Sequence, residues 1–321
     1  MPVRGLVSII IPVFNRPKML VDSVNSALAQ LYRPIEVIII DDGSTDNTLS
    51  VAQTLADDHP EIKAFKIINS GPGLAREYGR QKAKGEFIQY LDSDDLLSPN
   101  KLTLQVNRLN AKPECGVSYC IQEYCCIDGT VIKPKWMRTG EHFETMFPAM
   151  LGARIWGTPV PLYRAKVLNQ AGPWLNLKNQ EDWEYDCRIA SLGITLDYID
   201  QTLVTIRTHN KQHFGLIGDA DEAKLIDQAK AYQLIYQHAV NAEVDVNDPE
   251  FQRFGRAVFL VARQCAEQNL VSSAKSLMKI ACICSNTSKR TIECRVYIFM
   301  SQLIGWSTMG KLSAKLDKLR A

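Results

Sequence analysis

Over the first third of the chain, short unbroken apolar runs alternate with stretches whose apolar residues recur every three or four positions. The runs Val7-Ser8-Ile9-Ile10-Ile11 and Val37-Ile38-Ile39-Ile40 are continuous rather than alternating, which suits strands buried on both faces. Further strands are expected at 65–68 and 87–91. Helical spacing spans 19–28, continues through Leu49, Ala52 and Leu55, and returns over 74–82, with Gly85 as the stop. Between the second strand and its helix, Asp41-Asp42-Gly43-Ser44-Thr45-Asp46 has the composition of a turn that caps the next helix. Strand, helix, strand in repetition predicts βαβ units and a mostly parallel sheet.

Later the pattern changes twice. Residues 116–135 read as strands, with Asp128-Gly129 as a hairpin turn, and 181–192 read as a helix closed by Gly193. From 220 to the end nearly everything has helical periodicity, and no proline follows Pro249. Residues 253–267 and 272–284 form an expected helical hairpin joined at Gln268-Asn269-Leu270, a single copy and so no repeat array. The expected division is therefore a sheet-based domain over 1–215 and a helical region over 216–321, with the boundary in 214–219.

Composition narrows the classes. The 321 residues are 46% hydrophobic and 22% charged with a net charge of +2, which gives no nucleic-acid footprint. Nine cysteines at irregular spacing contain no CxxC pair, which argues against a zinc ribbon or a thioredoxin-type motif. Most lie in apolar surroundings and read as small core residues in a reducing compartment. The first residues lead into a strand without a signal-peptide pattern, and no charge-free apolar stretch of membrane-spanning length appears. A cytoplasmic protein is expected.

The candidate chemistry sits where strands end. The first strand runs into Pro12-Val13-Phe14-Asn15, the second into Asp41-Asp42, the fourth into Asp92-Ser93-Asp94-Asp95. Ligands of open α/β sheets bind outside the carboxyl ends of the strands. Carboxylates facing a phosphate make sense with a divalent cation between them, and Mg²⁺ or Mn²⁺ takes one or two such ligands from the protein. For either acidic segment alone, a capped turn or a solvated loop is an equal alternative; both together, each closing an apolar strand, favour a site.

The sequences Val7-Ser8-Ile9-Ile10-Ile11-Pro12-Val13-Phe14-Asn15-Arg16 and Glu36-Val37-Ile38-Ile39-Ile40-Asp41-Asp42-Gly43-Ser44-Thr45-Asp46-Asn47-Thr48 resemble the opening blocks of the family 2 glycosyltransferases, which have the GT-A fold. The likeness continues through Gly73-Leu74-Ala75-Arg76, Lys84-Gly85-Glu86-Phe87-Ile88 and Leu91-Asp92-Ser93-Asp94-Asp95, and covers roughly 5–210. It implies a GT-A (Rossmann-like) mostly parallel sheet flanked by helices, with a C-terminal helical extension. The activity it implies is transfer of a sugar from a nucleoside-diphosphate donor, UDP-sugars favoured with dTDP- and GDP-sugars open, to a glycan or lipid-linked acceptor such as a growing surface polysaccharide.

The same resemblance implies residue roles. Pro12, Phe14 and Asp42 would line the base pocket, with Asp42 accepting from the base edge, and Val13, Asn15, Gly43 and Ser93 would complete the nucleotide site. Phe14 stands where the family often has Tyr, and Glu77 stands after Arg76 where the family commonly has Asn. Arg76 would lie near the donor, Asp92 at the ribose or the metal shell, and Asp94 on the Mn²⁺ or Mg²⁺. In Gln180-Glu181-Asp182-Trp183-Glu184, Asp182 is the expected general base for an inverting displacement and Glu181 its partner, helix capping being the alternative. Trp156, Trp183 and Arg207 are assigned to the acceptor and sugar pocket, with the core as the alternative for both tryptophans. His209 would complete the metal shell or touch the diphosphate, a surface loop being the alternative. His209 and His213 are spaced for zinc, but the intervening residues lack a metalloprotease glutamate.

Three other classes compete. A Rossmann oxidoreductase needs GxGxxG after the first strand, and a nucleotidyltransferase needs a basic Gly-rich loop there; Pro-Val-Phe-Asn stands in that place. A nucleotide-sugar-binding scaffold without transfer activity is the third. The helical tail is open to three readings: packing on the catalytic domain, forming a homodimer, or resting on the inner membrane face. Its basic amphipathic end, 311–320, suits anionic lipid, although such termini are more often simply solvated.

Overall fold

The computed structural model describes residues 2–126, 130–132, 138–208, 222–285 and 288–318, with backbone alone at 288, 289 and 318. Strand β1 (Val3–Val13) is followed by α1 (Pro17–Leu28), β2 (Ile35–Asp41), α2 (Thr48–Asp58), β3 (Ile62–Lys66), α3 (Pro72–Lys82) and β4 (Gly85–Tyr90). Then come β5 (Leu96–Leu97), α4 (Lys101–Ala111), β6 (Cys115–Cys126), β7 (Val131–Ile132), α5 (Ala149–Gly152), β8 (Leu162–Arg164), α6 (Ala165–Ala171), α7 (Glu181–Ala190) and β9 (Thr195–Thr208). Five helices finish the described chain: α8 (Glu222–Asn241), α9 (Pro249–Glu267), α10 (Val271–Ile283), α11 (Ser288–Ile304) and α12 (Trp306–Lys318).

Contacts divide these elements into two compact units: Met1–Met146, Ile155–Asn176 and Ile194–Gly215 in one, and Phe147–Arg154, Leu177–Gly193 and Leu216–Ala321 in the other. Helices α5 and α7 cluster with the C-terminal helices, although they stand among the sheet elements in the chain.

In the first unit the strands form one sheet in the order β3-β2-β1-β4-β8-β6-β9-β5, with β7 on β6. Strands β3, β2, β1 and β4 are parallel, as are β6 and β9; β8 runs antiparallel between β4 and β6. The continuous apolar runs became central strands for the expected reason: Val7, Ile9, Ile10 and Ile11 of β1 and all of β2 are buried. The polar exceptions are internally satisfied. Ser8 Oγ donates to Glu36 Oε1 at 2.6 Å and accepts from the Gly85 amide at 2.8 Å. A Cβ at Gly85 would sit 2.7 Å from Leu6 O and Ser8 N, so this glycine marks close contact with β1 at the start of β4 as well as the end of a helix.

Two elements differ from expectation. β3 lies at Ile62–Lys66 rather than 65–68, because its pairing with β2 stops where β2 stops, at Asp41 opposite Lys66. Ile68, beyond that point, is 87% exposed. Helix α4 is absent from the expected elements, although its buried Leu102, Val106 and Leu109 recur at helical spacing. Its inner face also includes Lys101, whose ammonium reaches Gln105 Oε1 at 2.6 Å and is held down to a pKa of about 8 by burial. The hairpin expected at Asp128-Gly129 falls on residues outside the described ones, though β7 does pair antiparallel with the end of β6.

The chain crosses from β1 through β2 to β3 on one side, then returns to place β4 on the other side of β1. The carboxyl ends of β1 and β4 therefore flank the topological switch point.

The second unit packs aromatic residues into its core. Trp183 of α7 lies edge-on to Tyr232 and Phe254, which stack at 5.7 Å, and donates its indole N–H to Met150 O at 2.6 Å. Helices α9 and α10 form the expected hairpin. Asn269 takes φ 61, and the Leu270 amide reaches back to Cys265 O at 2.7 Å, the bond of a Schellman cap.

Candidate active site

Three loops at the strand ends build one cleft of about 360 Å³ in the first unit. The loop after β1 is set by Asn15, which has φ 52. Its amide donates to Ser44 Oγ at 3.0 Å and its side-chain carbonyl oxygen accepts from the Thr45 amide at 2.8 Å, tying the first loop to the second. Gly43, at φ 73, lets the second loop approach the segment between β3 and α3, since a Cβ there would lie 2.7 Å from the Asn69 amide. Asp42 completes the junction. Its amide donates to Val13 O at 2.8 Å, and its carboxylate accepts from the amides of Ser70 at 2.7 Å and Gly71 at 2.9 Å. Burial raises the Asp42 pKa, with neighbouring Asp41 adding and the two amides opposing. Asp46 accepts from the Thr48 amide at 2.9 Å, an Asx turn just before α2, whose N-cap residue Asn47 makes no side-chain cap bond.

The turn after β4 carries the acids. Arg76, buried on α3, donates to Asp92 Oδ1 at 2.7 Å and lies over the Trp174 ring at 5.0 Å. Trp174 is held in turn: its indole donates to Tyr90 Oη at 3.0 Å and its amide to Glu77 Oε2 at 3.2 Å. Glu77 thus positions the aromatic platform under Arg76. Burial alone would raise its pKa, but hydrogen bonds from Arg80 and Gln81 leave it lowered. Arg16 forms an ion pair with Asp94. Asp95 is buried and its pKa is pushed well up, by burial first and then by Asp92 and Asp94, although the Arg207 amide donates to it at 3.0 Å.

Of the residues expected to hold nucleotide, Pro12, Val13, Phe14, Asp42, Arg76, Asp92 and Ser93 line the cleft, and Asp94 joins them. Phe14 keeps 42% of its surface exposed, leaving its ring open at the rim. Asn15 and Gly43 shape the loops instead of lining the cleft. Arg16 and Pro72 line it too, and sequence reasoning assigns neither a role; Arg16 is legible only as the last residue of the first motif.

Arg207, expected at the acceptor pocket, is used otherwise. Its guanidinium reaches Asp94 O, Asp22 Oδ2 at 2.6 Å and Met19 O at 3.3 Å, latching the acidic turn to α1. Trp156 and Trp183 are core residues, 1% and 5% exposed, and the sugar-facing role expected of them is corrected to packing. Trp156 packs on Tyr119 at 5.4 Å, and Trp183 on the aromatic group described above. His209 lies outside the described residues.

Asp182 and Glu181 lie in the first turn of α7, within the second unit. Asp182 accepts from Arg154 Nη1 at 2.5 Å and from the Trp183 amide at 2.7 Å, and Arg154 Nε also reaches Asp186 at 2.8 Å. Its side chain remains 30% exposed, so the carboxylate is oriented yet reachable.

No group of three or more His, Cys, Asp or Glu side chains gathers around a common point among the described residues. The chemistry of the Asp92–Asp95 turn nevertheless fits a hard cation. Four consecutive positions supply three carboxylates there, and oxygen ligands suit Mg²⁺ or Mn²⁺, which draw most of their shell from water and phosphate. All nine cysteines are free thiols, seven of them buried, in keeping with their reading as core residues. No helix among the described residues is long and apolar enough to cross a membrane.

A mostly parallel sheet with a cleft at its switch point is the architecture of a doubly wound α/β protein. The chain matches glycosyl transferase family 2 over residues 8–170, about half its length, and belongs to that family. An uncharacterized glycosyltransferase of Rickettsia typhi is 34% identical over 215 residues, covering 64% of this chain and 65% of that protein. An uncharacterized glycosyltransferase of Haemophilus influenzae is 37% identical over 129 residues, covering 40% and 51% respectively. The chain thus spans less than two thirds of these relatives. S. aureus TarS 1–349 in complex with UDP superposes with a TM-score of 0.71 at 19% identity, covering 96% of this chain and 91% of that one. The mannosyltransferase PcManGT of Pyrobaculum calidifontis, in complex with GDP-Man and Mn²⁺, gives 0.54 at 17% identity, covering 98% and 87%. The fold is the GT-A fold, with a helical C-terminal part.

Proposed function

We propose that this chain is an inverting glycosyltransferase that moves a sugar from a nucleoside-diphosphate donor, with UDP-sugars favoured, to a hydroxyl of a glycan or lipid-linked acceptor. The observation that carries the reading is the cleft itself, which unites Asp42, Arg76 and the Asp92-Ser93-Asp94 turn at the switch point. The catalytic region is residues 1–215. TarS with UDP or UDP-GlcNAc and PcManGT with GDP-Man and Mn²⁺ support a nucleotide-sugar donor without fixing the base.

The Phe14 ring stacks on the base and Asp42 accepts from its edge, while Asp92, braced by Arg76, takes the ribose. Asp94, with help from Asp92, would hold a divalent cation, whose charge would offset that of the diphosphate. Asp182 removes the proton of the acceptor hydroxyl as its oxygen attacks the anomeric carbon. The new C–O bond forms as the bond to the diphosphate breaks and its electron pair leaves on the phosphate oxygen. Arg154 keeps the Asp182 carboxylate oriented for this transfer.

A thermal-shift series with UDP, GDP and dTDP and their sugars, with and without Mn²⁺, tests the reading. The true donor should raise the melting temperature in the presence of Mn²⁺, and Asp94→Ala should lose that response. If Asp94→Ala binds donor and Mn²⁺ as well as the native chain, the assignment is wrong. A protein that binds the nucleotide sugar but leaves the sugar attached across donors and acceptors is a scaffold instead.

A further inference from the structure

Helix α11 is apolar on two opposite sides. Cys294, Tyr297 and Ser301 face inward and are at most 4% exposed. On the other side, at intervals of four, three and four, stand Ile292, Val296, Phe299 and Leu303, between 52% and 65% exposed. A surface helix normally turns such a stripe toward a core and a polar face toward water. Here the inward face has its core and the outward stripe is extra.

The surroundings of the stripe indicate what it meets. Arg295 is exposed beside Val296. Helix α12, packed on α9 so closely that a Cβ at Gly310 would lie 2.2 Å from the Glu267 amide, exposes the repeat Lys311-Leu312 and Lys315-Leu316. Between α9 and α11 a cleft of about 690 Å³ is lined by Arg256, Leu260, Arg290 and Val296, the last shared with the stripe. Arg256 is exposed and has no ion pair among the described residues. Against these cations stand Glu293, and Asp317, which Arg263 already engages.

From this juxtaposition we propose that the outward face of α11 lies in the surface of an anionic phospholipid bilayer. Ile292, Val296, Phe299 and Leu303 enter the acyl boundary, and Arg256, Arg295, Lys311 and Lys315 meet lipid phosphates. The stripe covers about 16 Å of helix, too short to span a bilayer and suited to lying along its surface. Basic residues beside an apolar face are what an anionic surface attracts. Pairing two copies through the same face would instead bring the like charges of each copy together. The inference is independent of the transfer reaction.

Co-sedimentation of the full chain with large vesicles, of phosphatidylcholine alone or mixed with phosphatidylglycerol, tests it. The native chain should pellet with the anionic vesicles at least about tenfold better than with the neutral ones, and added salt should weaken the binding. Replacing Phe299 and Leu303 together by Ser should lower partition into anionic vesicles about tenfold or more. The melting curve should stay unchanged, because both side chains are exposed. Arg295→Glu with Lys311→Glu, which keeps the stripe, should erase most of the anionic preference, at about fivefold per charge. A native chain that stays in the supernatant with both vesicles, or pellets regardless of the Ser variants, overturns the proposal. So does a dimer in sedimentation velocity that the Ser variants dissociate, which would assign the stripe to a second copy.

Discussion

The two units gather their charged groups in different places. In the sheet unit, ion pairs link residues far apart in sequence: Arg16 with Asp94, Arg76 with Asp92, Arg207 with Asp22. In the helical unit, near and distant pairs stand side by side. Arg188 holds Glu184 from one turn away and Arg253 pairs with Glu250 within a single helix, while His238 reaches Glu184, Arg154 reaches Asp182 and Arg263 reaches Asp317 from other segments. Parallel strands deliver all their carboxyl ends to one edge, so loops from distant parts of the sequence must settle one another's charge there. A helix bundle spreads its charges along helix faces, where a neighbour one turn away or a facing segment pairs each of them. A ligand that brings its own charge therefore meets several neighbouring charges at once at the strand edge.

The largest expected effect breaks the comparison at its two acids. Asp182→Asn should lower transfer at least about a hundredfold while nucleotide binding is retained, because a general base contributes to the reaction and not to donor affinity. Nucleotide titration beside a transfer assay checks the split; equal loss of both would place Asp182 at the donor. Next is Glu184, almost wholly buried in the helical unit. Glu184→Gln should cost roughly 2 to 3 kcal/mol in chemical denaturation, leaving Arg188 and His238 without their anion. Burial would raise the Glu184 pKa, but the bonds from His238 and Arg188 more than offset this and lower it. Its stabilisation is therefore complete above the usual glutamate range and is lost as the pH falls through the lowered value. Between pH of about 5 and about 3 the native chain should lose more stability than the Gln variant.

A smaller effect sharpens the contrast in the sheet unit. Arg207→Ala frees the acidic turn from α1 without touching the cleft lining, and should weaken donor binding about five- to tenfold with catalysis at saturation little changed. A nucleotide thermal-shift titration reads it; no change would mean the turn holds its shape without the latch. Smallest of all, Asn269→Gly should change the unfolding free energy in chemical denaturation by less than about 1 kcal/mol, since its left-handed backbone already suits glycine.

Much of this protein is legible in the chain itself. Local pattern determined the buried strands at Val7–Ile11 and Ile35–Asp41, the helical hairpin of α9 and α10, and the acidic strand ends, because side-chain period and turn chemistry act over a few residues. The motifs likewise marked most of the cleft lining in advance. Short-range pattern carries no information about pairing partners, and there the tertiary structure decided. It turned Arg207 into a latch, made Glu77 the support of Trp174, and gave Arg16 to Asp94. It also sent the rings of Trp156 and Trp183 into cores, since an aromatic residue is equally at home against a sugar or another ring until its neighbours are fixed. Helix α11 shows the same limit: apolar residues on both sides tell of two partners, and only the fold reveals which side already has one.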